Sequence, residues 1–567
     1  MELLLVILIG VVAVAVVTSL AQRLGVAGPL LLVALGLVVG ILPFVDFPEI
    51  DPELILVGVL PPLLYAAAVR LPAIEFRRDF TPIAGLAIVL VVITALALGW
   101  FFSLVLPGVG FALGVALGAI ISPTDAVATG IAKRLGISPR VTTMLEGESL
   151  LNDATALVLL RTALLAVAAG SFSFGAAVGS FAWGVLIAAV VGGVLGLVAV
   201  RVRSWVQNSA ASTAIGFTVP FLAYLPTEHL GGSGLVAAVV AGIVAGQGAQ
   251  RWFTPEQRLS DEVNWRTVEL VLEGGIFLIM GLELDQIVSD VLDRHEGIAL
   301  PTGVALAALA IALLVRAAYV SLLLWAGRAR AGRVDRSAIE AMDARLDALS
   351  QSGSAPPRRQ RRVSSMRERI ARVLADLDYY QASPLGWKHG TVIVWAGMRG
   401  VVTLAAAQTI PRSVEQRPEL VYIAFLVALI SLMVQGFSLP WVVKLLGLDV
   451  KSESTVDATE QSRIQAELRD AAVTALAGQR LRRRDGSSFD ADLIERVGMR
   501  YAQLPDEQAD AVASDVLELR LAVIEAKRER LTALSSGGRF STSALRHMVA
   551  QLDADQLSLE LRLREDE

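Results

Sequence analysis

G-E-S-L-L-N-D-A, residues 147–154, sets Glu148, Ser149, Asn152 and Asp153 inside a long apolar run. On a helix, offsets of one, four and five put these four side chains on one stripe. An ionisable group at membrane depth is costly unless it is paired or wetted, so such a stripe is a functional candidate by default. The alternative is an internally satisfied polar seam between packed helices.

The surrounding chain decides that the run is membrane-embedded. Its 567 residues are 54% hydrophobic and 18% charged, far from a soluble globular average. Apolar runs of about 20 residues recur, each long enough for a ~30 Å hydrocarbon core. They are continuous, where a transmembrane barrel would need alternating ten-residue segments. Spanning helices are expected at roughly 1–21, 27–43, 53–70, 81–106, 109–132, 141–169, 175–200, 209–226, 231–248, 266–286, 299–327, 389–410 and 418–447. The fold class is therefore an all-α polytopic membrane protein of about thirteen transmembrane helices. The first run is read as a span and not a signal peptide, because it lacks a positive n-region and is long for an h-region. With no cysteine there are no disulfides, thiolate metal sites or cysteine nucleophiles. The four histidines are scattered without an H-E-x-x-H pattern. No cofactor, nucleic-acid partner or enzyme activity is expected.

Loop charge tests the span count independently. Alternate loops carry Arg23; Arg70, Arg77 and Arg78; Lys133, Arg134 and Arg140; Arg201 and Arg203; Arg251, Arg258 and Arg266; and then the basic 328–388 segment. The opposite loops are acidic or uncharged apart from Glu228, with only Arg294, Arg412 and Arg417 basic among them. By the positive-inside rule this alternation puts the N-terminus outside and the C-terminus in the cytoplasm of a multi-pass plasma-membrane protein. The domain division expected is a transmembrane part, 1–448, with a cytoplasmic insertion at 328–388, followed by a helical cytoplasmic domain, 449–567. The insertion contains an amphipathic piece (336–350) and a Pro-Pro and Arg-rich stretch (356–362). It reads as a solvated cytoplasmic insert or as a regulatory element touching anionic lipid, and the first is favoured. The tail reads as regulatory, oligomeric or merely stabilising.

A second polar segment, I-S-P-T-D-A-V-A, lies at 121–128. Pro123 removes a backbone donor and clashes with the preceding turn, so the helix should break there. Such a break is tolerated at membrane depth only where the freed backbone lines a cavity or is buried in protein. Transporters use broken helices of this kind to coordinate cations. At ~1.5 Å per residue Asp153 lies roughly 18 Å from the inner end of its helix, and Asp125 approaches the same depth if the break unwinds. Asp125, Thr124, Ser149 and Asp153 can then surround one oxygen-lined site suited to Na⁺, Li⁺ or a proton. Two arginines, Arg316 and Arg399, are buried in apolar spans and need standing partners. Glu148 is the candidate partner for Arg316, and Arg399, between Gly397 and Gly400, could neutralise helix ends at a second break. Snorkelling is a better account of Arg161. Glu269, Glu273 and Glu283 are secondary candidates, read as structural or rim residues.

T-D-A-V-A (124–128), G-E-S-L-L-N-D-A (147–154) and G-M-R-G (397–400), in this order, resemble the monovalent cation:proton antiporter 1 family of bacterial and eukaryotic sodium/proton exchangers. The resemblance covers the whole membrane part. It implies inverted repeats with broken helices, and a homodimer in which a core domain moves against a dimer domain. It implies that Asp153 is the alternating cation and proton carrier, with Thr124, Asp125 and Ser149 near it as Na⁺ ligands. It pairs Glu148 with Arg316 and puts Arg399 at the crossing of the broken helices. Many members read T-D-P where this chain has Ala126, its proline standing earlier at Pro123, which bears on where the helix breaks. The expected activity is exchange of cytoplasmic Na⁺ or Li⁺ for external H⁺ in a lipid membrane. Asn152 beside Asp153, with no titratable intramembrane lysine, points to electroneutral exchange. K⁺ is left open, because the same oxygens serve both ions. A gated cation channel is the other transport class, although no repeated filter segment is present.

Overall fold

A computed structural model describes residues 2–24, 26–42, 53–125, 127–169, 174–292, 297–331 and 384–448, with isolated positions from 342 to 380, Ile524, Leu552 and 554–560. The sequence features at 336–350, apart from Met342, and at 356–362, and nearly all of the tail, lie outside the described residues. The chain divides into two compact units, Met1–Lys451 and Ser452–Glu567. In the second unit, residues 554–560 are helical.

The first unit is helical, and among the described residues it has no strand. Its helices are α1 (Glu2–Leu24), α2 (Gly28–Gly40), α3 (Leu60–Val69), α4 (Ala73–Arg78), α5 (Phe80–Ala84), α6 (Val91–Val105), α7 (Phe111–Ile121), α8 (Val127–Arg134) and α9 (Pro139–Ala169). They continue as α10 (Phe174–Trp205), α11 (Ser209–His229), α12 (Gly234–Trp252), α13 (Pro255–Leu282), α14 (Leu284–Leu292), α15 (Ala299–Ala331), α16 (Trp387–Trp395), α17 (Val401–Gln408) and α18 (Arg417–Leu446). Wide π-type turns at Leu54–Val59 and Gly85–Leu90 lead into α3 and α6. The apolar runs of the sequence fall on these helices. Among the described residues five stretches are long and apolar enough to cross a membrane by length and composition: Phe80–Val105, Pro139–Ala168, Gly179–Trp205, Ala299–Ala329 and Arg417–Leu446. Shorter apolar helices fill the intervals.

Local chemistry sets the helix ends. Thr254 and Gln257 form a reciprocal capping box at the start of α13. Asn208 and Ser233 cap α11 and α12. Gly447, at φ 62°, closes α18 in the left-handed conformation that a non-glycine residue resists.

Packing sorts the helices into two bundles. One comprises α1–α3 and α10–α13; the other comprises α4–α9 and α15–α18. Small residues weld each internally, since without a Cβ the backbones can touch. A Cβ on Gly118 of α7 would stand 2.5 Å from the Ala95 carbonyl oxygen of α6, and one on Gly36 of α2 would collide with the backbone of α13 at Leu278. The first bundle also buries a charge that looks like an ordinary loop residue in sequence. Arg203 is 1% exposed. It donates to both Asp261 oxygens at 2.6 Å and to Ser212 at 3.2 Å, and it lies over the Phe253 ring. At the basic end of the second bundle Arg140 forks onto Asp79. Tyr379, from the end of the long insertion, donates to the same carboxylate at 3.0 Å, and Tyr380 donates to the Arg78 carbonyl at 2.7 Å.

Candidate ion-binding site

Two helices of the second bundle are interrupted and cross at their interruptions. The first stops at Ile121 and resumes at Val127; the second stops at Trp395 and resumes at Val401. Pro123 accounts for the first break by removing a donor. The second follows from crowding. A Cβ on Gly397 would run into the Arg316 guanidinium, and one on Gly400 would overlap the Asp125 carboxylate. The non-helical segments of the crossing are joined where the Asp125 backbone N–H donates to the Met398 carbonyl at 2.7 Å.

Each kind of helix end meets the opposite charge. The carbonyl ends of α7 and α16 converge on Arg399, which donates from Nε to Ile121 O at 3.1 Å and from Nη1 to Gly397 O at 2.5 Å. The amide ends of α8 and α17 face Asp125. Its Oδ1 accepts from Val127 N at 3.0 Å, and its carboxylate lies against Gly400. A cation at two negative helix ends and an anion at two positive ones is the arrangement the helix dipole favours. Ser431 of α18 closes the crossing by accepting from the Arg399 backbone N–H at 2.8 Å.

The stripe on α9 meets this crossing side-on. Glu148 and Arg316, 1% and 2% exposed, form a two-point ion pair, with Arg316 Nη2 at 2.8 Å from Glu148 Oε2 and Nη1 on Oε1. Arg316 Nε donates to the Ile393 carbonyl of α16 at 3.0 Å. Thr124 donates to Glu148 Oε1 at 3.2 Å and accepts from Asn152 Nδ2 at 2.7 Å. A relay thus runs Arg316, Glu148, Thr124, Asn152, and it orients the asparagine through the threonine hydroxyl. That hydroxyl keeps one lone pair uncommitted.

Asp153, next along α9, is different. It is 6% exposed, and no donor among the described residues reaches its carboxylate. It faces a cavity of about 640 Å³ that Thr124, Asp125, Ser149, Glu273 and Gly400 also line. The cavity is also lined by the basic residues Arg70, just past α3, Lys133 and Arg134 in the last turn of α8, and Arg266, which reads as a loop residue in sequence but which the structure places inside α13. The cavity therefore connects the basic face to the middle of α9. Asp153, Asp125, Thr124 and Ser149 share it. Glu148, Arg316 and Arg399 stand behind it as packing charges, and Asn152 is buried at its edge. Thr129 and Thr403 line it too, a contribution with no sequence signal beyond their place on broken helices. Among the described residues no cluster of three or more His, Cys, Asp or Glu side chains forms a resident metal site.

Gly400→Ala is expected to force the Asp125 carboxylate off the α8 terminus. Overpacking of this kind costs about 1–3 kcal/mol. A lowered Tm together with at least tenfold slower ion uptake would be observed; unchanged uptake would show that Asp125 can move without consequence.

Broken helices crossing beside a buried carboxylate that faces a cavity define a secondary transporter of the broken-helix type. The family model for the sodium/hydrogen exchanger transmembrane region matches residues 10–445, and the chain belongs to that family. An uncharacterized Na(+)/H(+) exchanger of Mycobacterium tuberculosis is 28% identical over 576 residues, spanning 98% of this chain and 96% of that protein. The Na(+)/H(+) antiporter ApNhaP of Aphanothece halophytica is 27% identical over 450 residues, covering 78% of this chain and 73% of that protein. In fold, the chain is similar to the sodium proton antiporter MjNhaP1 from Methanocaldococcus jannaschii, with a TM-score of 0.56 at 19% identity over 79% of this chain and all of that one. Cation/proton antiport in a membrane is thus the family activity.

Proposed function

We propose that the chain exchanges cytoplasmic Na⁺ or Li⁺ for external H⁺, electroneutrally, with Asp153 as the group that carries either ion. The observation behind this reading is the Asp153 carboxylate, buried without a hydrogen-bond donor among the described residues, at the floor of a water-sized route to the basic face. A bare carboxylate there is poorly solvated, so it favours holding a proton or a cation at all times. Ser149, Thr124 and Asp125 supply the further oxygens a small hard cation needs. One carboxylate with two competing occupants gives one proton per monovalent cation. The basic mouth is taken as cytoplasmic by the positive-inside rule, with the N-terminus outside, in a plasma membrane. The bundle of α4–α9 and α15–α18 carries the site past the other bundle, in a homodimer, as an elevator does. The domain division at 448 and the absence of enzyme activity belong to the same reading.

Exchange in proteoliposomes tests it. Na⁺- and Li⁺-driven proton movement should be equally fast with the membrane potential clamped at zero or at a value negative inside. A clear potential dependence would overturn the one-to-one stoichiometry. Faster exchange with K⁺ than with Na⁺ or Li⁺ would move the ion assignment without moving the site.

A further inference from the structure

At the end of the molecule away from the cavity mouth, polar contacts among the described residues join the bundles at two places, one at Arg161, which also reaches Tyr224 of α11, and one at Glu283. Arg161 Nη1 on α9 donates to Glu228 Oε2 of α11 at 2.6 Å. Glu228 Oε1 accepts from the backbone N–H of Gly234, the first residue of α12, at 2.9 Å. Gln408 Nε2 at the end of α17 donates to Glu283 Oε2, just past α13, at 2.5 Å. Arg417 holds the last carbonyls of α17, Gln408 O at 3.2 Å and Ile410 O at 2.9 Å, and so fixes the helix end that presents Gln408.

The partners matter more than the contacts. Helices α9 and α17 carry Asp153 and border Gly400, so both belong to the bundle that holds the site. Helices α11, α12 and α13 belong to the other. At the cavity mouth, by contrast, the ion pairs Arg70–Glu269 and Lys133–Glu146 each stay inside one bundle. A polar link does cross the mouth, from Arg134 Nη1 to the Val26 carbonyl, but at 3.4 Å it is at the limit of a hydrogen bond.

We infer that Arg161–Glu228 and Glu283–Gln408 form a two-point latch on the external face, which holds the cytoplasm-open state and must be released in every exchange cycle. The inference rests on the bundle motion proposed above. An ion pair whose side chains are 59% and 23% exposed is of the weak kind. A half-buried carboxylate accepting from an amide is stronger. Together they bias the equilibrium by about tenfold, enough to set the resting state and small enough to be undone each turnover. The latch also gives Arg161 a partner where snorkelling to the interface alone would leave it unpaired.

The absence of cysteine makes the test clean. A single Ala67→Cys, on the cavity wall, is labelled by a membrane-impermeant maleimide applied to the cytoplasmic face of inside-out vesicles. With Arg161→Gln and Glu283→Ala added, the labelling rate should fall about twofold, the drop that follows when a ten-to-one bias is removed. In the Arg161-intact reporter, Glu283→Gln with Gln408→Glu exchanges the two ends of the second contact and should keep the original rate, which separates loss of a latch from damage to the fold. An unchanged rate in the Arg161→Gln, Glu283→Ala protein overturns the latch. Joining Arg161→Cys to Glu228→Cys with a short bis-maleimide, in the chain without the reporter, should arrest exchange. Exchange that continues through the joined pair would overturn the bundle motion itself, whereas arrest combined with an unchanged labelling rate would overturn the latch alone.

Discussion

Asp153→Asn is expected to reduce cation-driven proton exchange to the level of empty vesicles, a loss of at least about a hundredfold, while leaving the fold as stable as before or more so. The two halves of this result have one cause. The carboxylate is 6% exposed, beside the like-charged Asp125 and without a donor among the described residues, so the folded protein bears the cost of its partial desolvation and of that repulsion. Asparagine has nearly the same shape and no charge, and it removes that cost together with the ability to bind a proton. Groups that function at the expense of stability behave in this way. Exchange is read from dequenching of a ΔpH dye, stability from the melting temperature in detergent. Retained exchange would remove Asp153 from the carrier role. Lost exchange with a collapsed melting temperature would make it a structural residue.

The opposite pattern is expected at the ion pair between Arg316 of α15 and Glu148, five residues before Asp153 on α9. Arg316→Ala leaves Glu148 buried at 1% exposure with its fork partner gone, and removing one member of a buried pair typically costs about 3–5 kcal/mol. The relay through Thr124 to Asn152 should loosen with it. Melting temperature and exchange should therefore fall together. Glu148→Gln combined with Arg316→Gln should recover part of the melting temperature, because no unpaired charge remains. Arg316→Lys should rescue less than its charge suggests, since a lysine cannot make the two-point contact and also reach the Ile393 carbonyl. A double variant as unstable as Arg316→Ala would show that shape, and not charge, holds this part of the core together.

The features that are legible in the amino-acid sequence are those set by short-range interactions. The polar stripe on α9 is a matter of helical spacing, and the first break is a matter of Pro123, so both are visible in the sequence. The apolar runs mark the helices because length and hydropathy are local properties. The second break is harder: Gly397 and Gly400 hint at it, but their reason lies in Arg316 and Asp125, distant in the chain. Arg203 reads as one more basic loop residue, and nothing local shows that Asp261 and Phe253 bury it. Glu283 reads as a structural or rim residue and Glu228 as a loop charge for the same reason, since their partners Gln408 and Arg161 arrive from the other bundle. Thr124 stands beside Asp125 in sequence as a simple oxygen donor. Its hydroxyl is engaged on both sides, which only the side-chain arrangement reveals.

The cavity beneath Asp153 has an electrical consequence. About 640 Å³ holds roughly twenty waters at ~30 Å³ each, and a column of that size is a conductor beside the surrounding low-dielectric helices. It carries the potential of the basic face toward the carboxylate, so an ion that reaches Asp153 through it stands close to that potential. An ion entering through the cavity crosses little of the voltage, while a charge moved across the whole membrane would exchange about 2.3 kcal/mol per elementary charge for every 100 mV. On the proposed mechanism, an Asp153 that moves with its proton or cation bound is uncharged and so is exempt from the membrane's electric force.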